Sequence, residues 1–267
     1  MIRKLYYATF CALFIVAVNS AQAETLTGKT ISICEDVAEY PPYHYLKRQN
    51  GKKTNEPAGY GIDVLNEIFV KRGIKYTIKF IPWKRCLEEL KKGEKYQMSL
   101  SGSYNLKRDK AYHLVNWYKT NVYYFYSKKH YPDGLKIKEL SDFKKYKLVG
   151  LLGYNYQYLG ELEKKMYKDI QNYDQMMQIL HKGRYDVTFE QFEIFAGFAI
   201  IGKNYLSDKD LGYAKMPGIK PNWFNMMISK KYKHSLELKR IISEGIAELF
   251  YSGKFKPLLE KYGLVAE

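Results

Sequence analysis

The segment from Trp83 to Arg108, WKRCLEELKKGEKYQMSLSGSYNLKR, decides which fold the rest of the chain can adopt. It opens on an aromatic residue, continues with leucines at helical spacing and breaks at Gly93. A run rich in hydroxyl groups then leads to Arg108, which stands five positions after Ser103 and seven after Ser101. This spacing can place the guanidinium beside both hydroxyls, an arrangement that suits a bound carboxylate. The alternative is a solvated arginine on the surface.

The same segment resembles the S-S-x-S-x-T-x-x-R stretch of periplasmic type II solute-binding proteins, in the branch that binds polar amino acids for ABC transporters. The resemblance implies that Arg108 holds the carboxylate of the ligand and that Ser101 and Ser103 add hydrogen bonds. It also implies that Trp83, 25 positions before the arginine, stacks on the ligand.

Further matches lie closer to the start of the chain. Residues 30–37, TISICEDV, alternate apolar and polar side chains and predict a strand. The turn YPPY at residues 40–43 resembles the family's Y-x-P-F, which implies that Tyr40 stacks on the ligand. Alternatively, the turn only closes a loop. Residues 46–58 are polar and predict a surface loop, and residues 59–69 predict a helix that resembles G-F-D-I-D-L-x-N-E.

Strands and helices alternate in this half of the chain. Residues 75–81 predict a strand and residues 84–92 a helix, before the short strand MSLSGS. With the resemblance, this order predicts an α/β fold of two lobes, each a mostly parallel sheet flanked by helices. Ligands of such sheets lie beyond the carboxyl ends of strands. Tyr40, Trp83 and Arg108 all follow predicted strand ends.

The second half of the chain contains weaker matches. Residues 120–127, TNVYYFYS, predict a strand, which in the family crosses into the second lobe. Residues 147–156 resemble V-G-V-x-x-G-T-T, and Asn155 stands where the family's second Thr meets the ligand carboxylate. The other predicted elements are a helix to about residue 168, a helix over 173–182, a strand over 185–189, a helix and polar loop over 196–212, a strand over 223–229 and closing helices over 235–263.

The site for the ligand ammonium departs most from the family. GRYD at residues 183–186 resembles G-R-x-D-A, and the family's ammonium-binding Asp lies five residues later, where this chain has Gln191. Glu190 stands one position earlier and, on a strand, would point to the opposite face. Either the loop shifts to bring Glu190 into the site, or the ligand lacks a standard α-amino group. Glu190 as a mere surface carboxylate is the remaining alternative.

Two crossings between lobes divide the chain. Residues 246–263 resemble the family's C-terminal L-x-x-x-G-x-x-x-x-I-x-x-K-Y-G, and residues 217–221, PGIKP, suggest a hinge. The resemblance implies that lobe 1 comprises residues 24–121 and 220–267, and that lobe 2 comprises residues 122–219.

Residues 1–23 have the pattern of a cleaved signal peptide. Arg3 and Lys4 precede an apolar run of about ten residues, and Ala-Gln-Ala at 21–23 resembles a cleavage site. The run is too short to span a membrane, which takes about 20 residues. We therefore expect export to the periplasm.

Two cysteines follow this segment, Cys34 and Cys86. An oxidising compartment favours a disulfide, and two reduced buried cysteines are the alternative. In the family's sheet the strands leading to them are parallel neighbours, which implies Cα atoms within the range of about 4.4–6.8 Å that a disulfide accepts. The histidines and cysteines lack zinc-ligand spacing, so we expect no metal and no cofactor.

The formal net charge of +16 could attract nucleic acid or membranes. The lysines are scattered, however, and we interpret them as a solvated surface without a nucleic-acid partner. Motifs of catalysis and phosphate binding are absent. Glu35 and Asp36 with Glu190 could form a carboxylate pair as in glycosidases, but nothing in their spacing singles them out, and we expect no enzyme.

The sequence therefore predicts a monomeric periplasmic protein that binds a small polar solute, an amino acid or related carboxylate, between its lobes. Its partner would be the permease of a membrane transporter. The alternative is a periplasmic sensor or accessory protein on the same fold that signals through a partner protein.

Overall fold

The computed structural model describes residues 26–264; the predicted signal peptide lies outside them. The strands are β1 (Thr30–Asp36), β2 (Tyr45–Gln49), β3 (Lys52–Ala58), β4 (Lys75–Ile81), β5 (Met98–Ser103), β6 (Tyr112–Thr120), β7 (Val122–Ser127), β8 (Leu148–Leu151), β9 (Tyr167–Ile170), β10 (Val187–Gln191), β11 (Leu211–Lys215) and β12 (Asn222–Ser229). The α-helices are α1 (Tyr60–Phe69), α2 (Trp83–Lys92), α3 (Leu106–Ala111), α4 (Tyr173–His181), α5 (Phe192–Gly197), α6 (Ser235–Tyr251) and α7 (Phe255–Glu260).

Two five-stranded sheets define the two lobes. In lobe 1 the order is β4-β1-β5-β12-β6, with β1 parallel to both neighbours and β12 antiparallel to both of its own. In lobe 2 the order is β11-β7-β10-β8-β9, where only β7 runs against its neighbours. All strands but one in each sheet therefore share a direction, and the predicted mostly parallel α/β architecture is confirmed.

Lobe 1 is closed by the packing of α1 against α6. The buried face of α1 carries Val64, Leu65, Ile68 and Phe69, at the spacing that a helix needs to present one apolar stripe. Gly245 of α6 lets the helices approach closely, because a Cβ there would lie 2.6 Å from an Ile68 side-chain carbon. Each such buried side chain stabilises the lobe by about 1.5–3 kcal/mol.

The chain passes between the sheets at two places. Lobe 1 strand β6 ends at Thr120 and lobe 2 strand β7 begins at Val122, so Asn121 makes the first crossing alone. Both the backbone N–H and the side-chain amide of Asn121 donate to Glu193, at 3.0 and 2.9 Å. The return crossing joins β11 to β12. The division into two bodies at 121/122 and 219/220 stays a prediction.

The predicted surface loop over residues 46–58 is wrong, because this segment forms the hairpin β2–β3. Its side chains are half-buried or exposed on both faces of β3, so no apolar alternation marks the strand. The buried carboxylate of Glu39 holds the hairpin, with Arg48 at 2.7 Å and Lys53 at 2.8 Å.

Several boundaries in lobe 2 also differ from the prediction. The helix expected to about residue 168 is a 3₁₀ stretch, Gln157–Lys165, interrupted at Gly160 and followed by strand β9. The strand expected over 185–189 is displaced to β10, and the segment 196–212 contains the start of β11. Short elements and turns lack the periodicity that sequence patterns rely on, which explains these misses.

The expected disulfide between Cys34 and Cys86 is present, with Cα atoms 5.6 Å apart. Cys34 lies near the end of β1 and Cys86 in the first turn of α2, and β1 pairs in parallel with β4, as the resemblance implied. Among residues 26–264, the helices are all too short or too polar to cross a membrane.

Candidate ligand-binding site

A cleft between the lobes encloses a cavity of about 40 Å³, room for a few water molecules. It lies beyond the carboxyl ends of β1, β5, β8 and β10, where parallel sheets place their ligands. The structure brings all of the predicted ligand-binding side chains to this cavity. Its lining is Glu35, Asp36, Tyr40, His44, Trp83, Ser101, Ser103, Arg108, Tyr154, Asn155, Tyr156, Tyr158, Phe189, Glu190, Gln191 and Phe224.

Arg108 is the buried cation of the cleft, with 6% of its surface exposed. Its backbone N–H is capped by Asn105 at 2.8 Å, and its Nη1 donates to the carbonyl and hydroxyl of Ser103 at 2.8 and 3.0 Å. Nη2 lies 3.4 Å from the carbonyl of Gly153, and the guanidinium stands 5.6 Å from the Trp83 ring. Burial lowers the pKa of Arg108 to about 10, so it stays charged at neutral pH. No carboxylate in residues 26–264 forms an ion pair with it.

Ser101 belongs to a buried network of lobe 1. Its Oγ accepts from Tyr118 at 3.0 Å and lies 3.3 Å from His44 Nδ1. The other ring nitrogen of His44 is 3.0 Å from Glu35 Oε2, an ion-pair distance without hydrogen-bond alignment. The second carboxylate oxygen of Glu35 accepts from the backbone N–H of Leu100. The predicted contact of Ser101 with a ligand therefore competes with these partners and stays a prediction.

Aromatic rings form the walls of the cavity. Tyr40 stacks on His44 with ring centroids 5.7 Å apart and packs against Phe224 at 5.6 Å. From lobe 2, Tyr154 meets it edge-on at 6.3 Å. Burial raises the pKa of Tyr40 well above its ordinary value, so its hydroxyl keeps the proton that it donates. Trp83 is also buried, at the first position of α2.

The turn after β8 reaches from lobe 2 into lobe 1. The side-chain amide of Asn155 donates to Ser103 Oγ at 3.1 Å and to the carbonyl of Tyr104 at 2.8 Å. Tyr154 Oη donates to Asp36 Oδ2 at 3.0 Å. Asn155 is expected to meet the ligand carboxylate. Its side chain contacts the hydroxyl of Ser103, which also accepts from Arg108. The turn connects the two lobes directly.

Glu190 is buried and lines the cleft, so of the alternatives for this residue the mere surface carboxylate is wrong. Its contact with a ligand stays a prediction. Its Oε2 accepts from Tyr173 at 2.9 Å, and Tyr40 lines the same cavity. Its Oε1 folds back to accept from the backbone N–H of Gln191 at 2.7 Å. Gln191 ends β10, and its own side chain accepts from Thr120 at 2.8 Å. The carboxyl reaches the cavity because the strand ends at this point.

Two carboxyl groups of the cavity have perturbed acidity. Burial raises the pKa of Glu190 to about 7, and the nearby charge of Asp36 adds to this shift. Burial likewise raises the pKa of Asp36 to about 6, although the N–H of Ala38 and the hydroxyl of Tyr154 oppose it. Neither carboxyl forms an ion pair with a lysine or arginine in the part of the chain that the structure describes. The cleft therefore offers one buried cation and two carboxyls without a basic partner.

Sequence reasoning gave no ligand role to several lining residues, among them Asp36, Tyr154 and Phe224. Asp36 directly ends β1, a position that the strand-end rule could have flagged. Tyr154 belongs to the aromatic turn GYNYQY, whose alternating tyrosines are a recognisable signal. Phe224 comes from β12, which is distant in sequence from the rest of the site, and no local pattern marks it.

This fold and this cleft define a two-lobe binding protein for a small solute. A sequence profile of the bacterial extracellular solute-binding proteins, family 3, matches residues 33–265, and the chain belongs to this family. A comparison with curated proteins found no match.

Solved structures show the same fold at low sequence identity. The amino acid ABC transporter substrate-binding protein AbpA from Streptococcus pneumoniae, bound to L-arginine, superposes with a TM-score of 0.70, at 17% identity over 87% of this chain and 94% of that one. The arginine-, lysine-, histidine-binding protein ArtJ from Geobacillus stearothermophilus superposes with a TM-score of 0.67, at 18% identity over 88% of this chain and 95% of that one. A histidine kinase sensor domain with similarity to periplasmic binding proteins superposes with a TM-score of 0.70, at 21% identity over 88% of this chain and 96% of that one.

Proposed function

We propose that the protein binds a small zwitterionic solute, an amino acid or a close relative, in the cleft between its lobes. One observation carries this proposal: Arg108 is buried and charged without a carboxylate partner in residues 26–264. An unpaired buried ion costs several kcal/mol, and that cost is offset when an anion binds. The planar donors of the guanidinium suit a carboxylate, and Trp83 and Ser103 hold them in place.

The opposite side of the cleft suits the ammonium group of the same solute. Among residues 26–264, the carboxyl of Glu190 accepts from the Tyr173 hydroxyl and the backbone N–H of Gln191 and forms no ion pair with a lysine or arginine. A ligand ammonium near it would keep this carboxyl ionised at neutral pH. Of the two explanations for the change at Gln191, this arrangement favours a ligand that does carry an amino group.

Binding requires the lobes to separate. The cavity of about 40 Å³ has room for a few water molecules, and side chains of both lobes line it, so a solute larger than these waters needs a wider cleft to enter. We expect hinge motion at the crossing through Asn121 and at the return crossing around residues 216–221. Closure would then desolvate Arg108 and the solute together.

Delivery to the permease of a membrane transporter is the role that we expect, with the protein acting as a monomer in the periplasm. The amino acid ABC transporter proteins among the structural neighbours support it. A sensor that signals through a partner is the second candidate, supported by the neighbouring histidine kinase sensor domain. Deleting the gene distinguishes them: loss of radiolabelled solute uptake supports transport, whereas normal uptake with a lost transcriptional response supports sensing.

We further expect binding without catalysis. Glu35, although it lines the cavity, is fully buried, accepts from the N–H of Leu100 and lies beside His44, so its carboxylate is already engaged within lobe 1. Incubating the bound solute with the protein and recovering it unchanged by mass spectrometry would agree with this expectation. Turnover of the solute would contradict it.

Isothermal titration with a panel of amino acids, carboxylates and amines tests the proposal. Once a ligand is found, Arg108→Ala should weaken binding by about 2–5 kcal/mol, because the carboxylate loses its desolvated partner. Arg108→Lys should also lose affinity, since a lysine cannot form the bidentate contact. Arg240→Ala removes an exposed arginine and serves as the control. Wild-type affinity in both Arg108 variants would refute the assignment.

A further inference from the structure

Two tyrosine hydroxyls stand between the carboxyl groups of the two lobes, and each donates its one proton to a carboxyl. Asp36 of lobe 1 accepts from Tyr154 at 3.0 Å, and Tyr173 donates to Glu190 of lobe 2 at 2.9 Å. The hydroxyls of Tyr154 and Tyr173 are 3.4 Å apart. We call these four residues the carboxyl relay. Only the hydrogen bond from Tyr154 to Asp36 crosses between the lobes, so this link exists only while the turn after β8 lies against lobe 1.

The relay brings like charges together when the lobes close. Asp36 is 6% exposed and Glu190 is 3% exposed, and the charge of Asp36 adds to the effect of burial in raising the pKa of Glu190. No lysine or arginine within residues 26–264 pairs with either group. Two carboxylates that share one buried site rarely ionise together, because repulsion and lost hydration both oppose it. Lobe separation relieves both penalties, since water then enters between them.

We propose that the carboxyl relay makes lobe closure depend on one added positive charge, supplied by the ammonium group of the solute or, without solute, by a proton. The role of the solute rests on the function proposed above, whereas the role of the proton does not. In the ligand-free protein, the open form would therefore dominate when both carboxyls are ionised. Proton uptake would shift the population toward the closed form.

The groups around the relay are compatible with this role. Asp36 is faced by the hydroxyl of Tyr154, the N–H of Ala38, the His44 ring and the Glu35 carboxyl. The carboxyl of Glu190 is faced by Tyr173, Tyr40 and the N–H of Gln191, together with Asp36 itself. Arg108 lines the same cavity. Burial raises the pKa values of the three tyrosines well above their ordinary value, so they remain neutral donors.

The direction of the pH effect follows from linkage. In the closed form the pKa of Asp36 is about 6 and that of Glu190 about 7, above the ordinary values of 3.8 and 4.5 that water exposure would restore. The closed form therefore binds more protons than the open form between about pH 4 and 7. Acidification through that window should close the ligand-free cleft, and alkaline pH should open it.

Small-angle X-ray scattering of the ligand-free protein at pH 5.5 and 7.5, at constant ionic strength, tests the inference. The wild-type radius of gyration should be smaller at pH 5.5, with a midpoint inside the window of about pH 4 to 7. Glu190→Gln, which removes one charge and keeps the shape, should be compact at both pH values. Glu161→Gln, a matched change at an exposed site of lobe 2, should respond like the wild type.

Two results would overturn the inference. The first is a wild-type radius that is equal at both pH values, an outcome that requires no variant to fold. The second is a Glu190→Gln protein that keeps the full pH response, since His44 or another group would then be responsible. Because no solute is present, either failure leaves the proposed function standing. Conversely, wild-type solute affinity in Arg108→Ala would refute that function and leave the scattering result intact.

Discussion

Lobe 1 and lobe 2 contribute to the cleft in different ways. The side chain of Arg108 in lobe 1 is held mostly from within, by both oxygens of Ser103 and by the ring of Trp83. In lobe 2, by contrast, the turn after β8 makes its polar contacts across the cleft, from Tyr154 and Asn155 to residues of lobe 1. Under the proposed function, the surroundings of Arg108 would thus be formed before closure, whereas the opposite wall would be completed by closure.

This difference indicates an order of events. A solute can bind first to lobe 1, where donors and ring are already arranged, and lobe 2 then closes over it. Preorganisation of one half reduces the entropy that binding must offset. Three predictions can break or sharpen the contrast between a preformed lobe 1 and a closing lobe 2.

The largest effect should come from the disulfide of lobe 1. Replacing Cys34 and Cys86 by serine should lower the free energy of unfolding by roughly 4 kcal/mol, because a long loop is no longer closed in the unfolded chain. Urea denaturation of the double variant and the wild type measures this change. Amide exchange should rise around Trp83, which lies three residues before Cys86, and should stay unchanged in β7 and β10.

The bridge itself can be checked by intact-mass analysis of alkylated periplasmic protein. Without reductant, Cys34 and Cys86 should take up no label, and with reductant they should take up two. Two labelled thiols in the protein without reductant would show that the disulfide is not formed. The disulfide could then no longer explain why lobe 1 is preformed.

The next effect concerns the carboxyl of lobe 2. Because burial raises the pKa of Glu190 from its ordinary 4.5 to about 7, the folded protein binds an extra proton in this window. That stabilisation is present at acidic pH and is lost as the pH rises toward 7. At pH 8, the free energy of unfolding of Glu190→Gln should therefore exceed that of the wild type, by up to about 3 kcal/mol where the cleft stays closed and by less where it opens. Equal changes of stability between pH 5 and pH 8 in variant and wild type would contradict a raised pKa at Glu190.

The smallest effect should come from the contact between the lobes at Asn155. Asn155→Ala removes donors to Ser103 and Tyr104 and should weaken solute binding by about 1 kcal/mol, mainly through faster dissociation. Stopped-flow displacement measures the rate. Asn116→Ala, an exposed asparagine of β6, is the control. A loss as large as that of Arg108→Ala would mean that lobe 2 is as preformed as lobe 1.

The same contrast explains how much the sequence could predict. The stretch from Ser101 to Arg108 is short and local, so its spacing constrains how the hydroxyls and the guanidinium meet. The carboxyl relay instead gathers Asp36, Tyr154, Tyr173 and Glu190 from four separate elements, and their convergence depends on how the lobes pack. Local alternation could not decide between Glu190 and Gln191, because it assumes a strand that continues, while β10 ends at Gln191 and both side chains line the cavity.

The fold itself was predictable where periodicity was strong. The buried stripe of α1 and the alternation of β4 gave correct elements, since each repeats over several residues. The hairpin β2–β3 was missed because both of its strands are largely exposed, and water imposes no pattern on them. Its register depends on the buried ion pairs of Glu39, which no local propensity encodes.

The position of Trp83 gives the protein an optical reporter. It is one of three tryptophans, and it alone lines the cavity, where a positive guanidinium faces its indole ring. Trp117 is buried in lobe 1 and Trp223 is partly exposed near the crossing, so both can be replaced by phenylalanine to leave one emitter. Opening the cleft would hydrate the excited indole and shift its emission to longer wavelength. Lobe motion can then be followed by light alone, on the millisecond scale and without an attached dye.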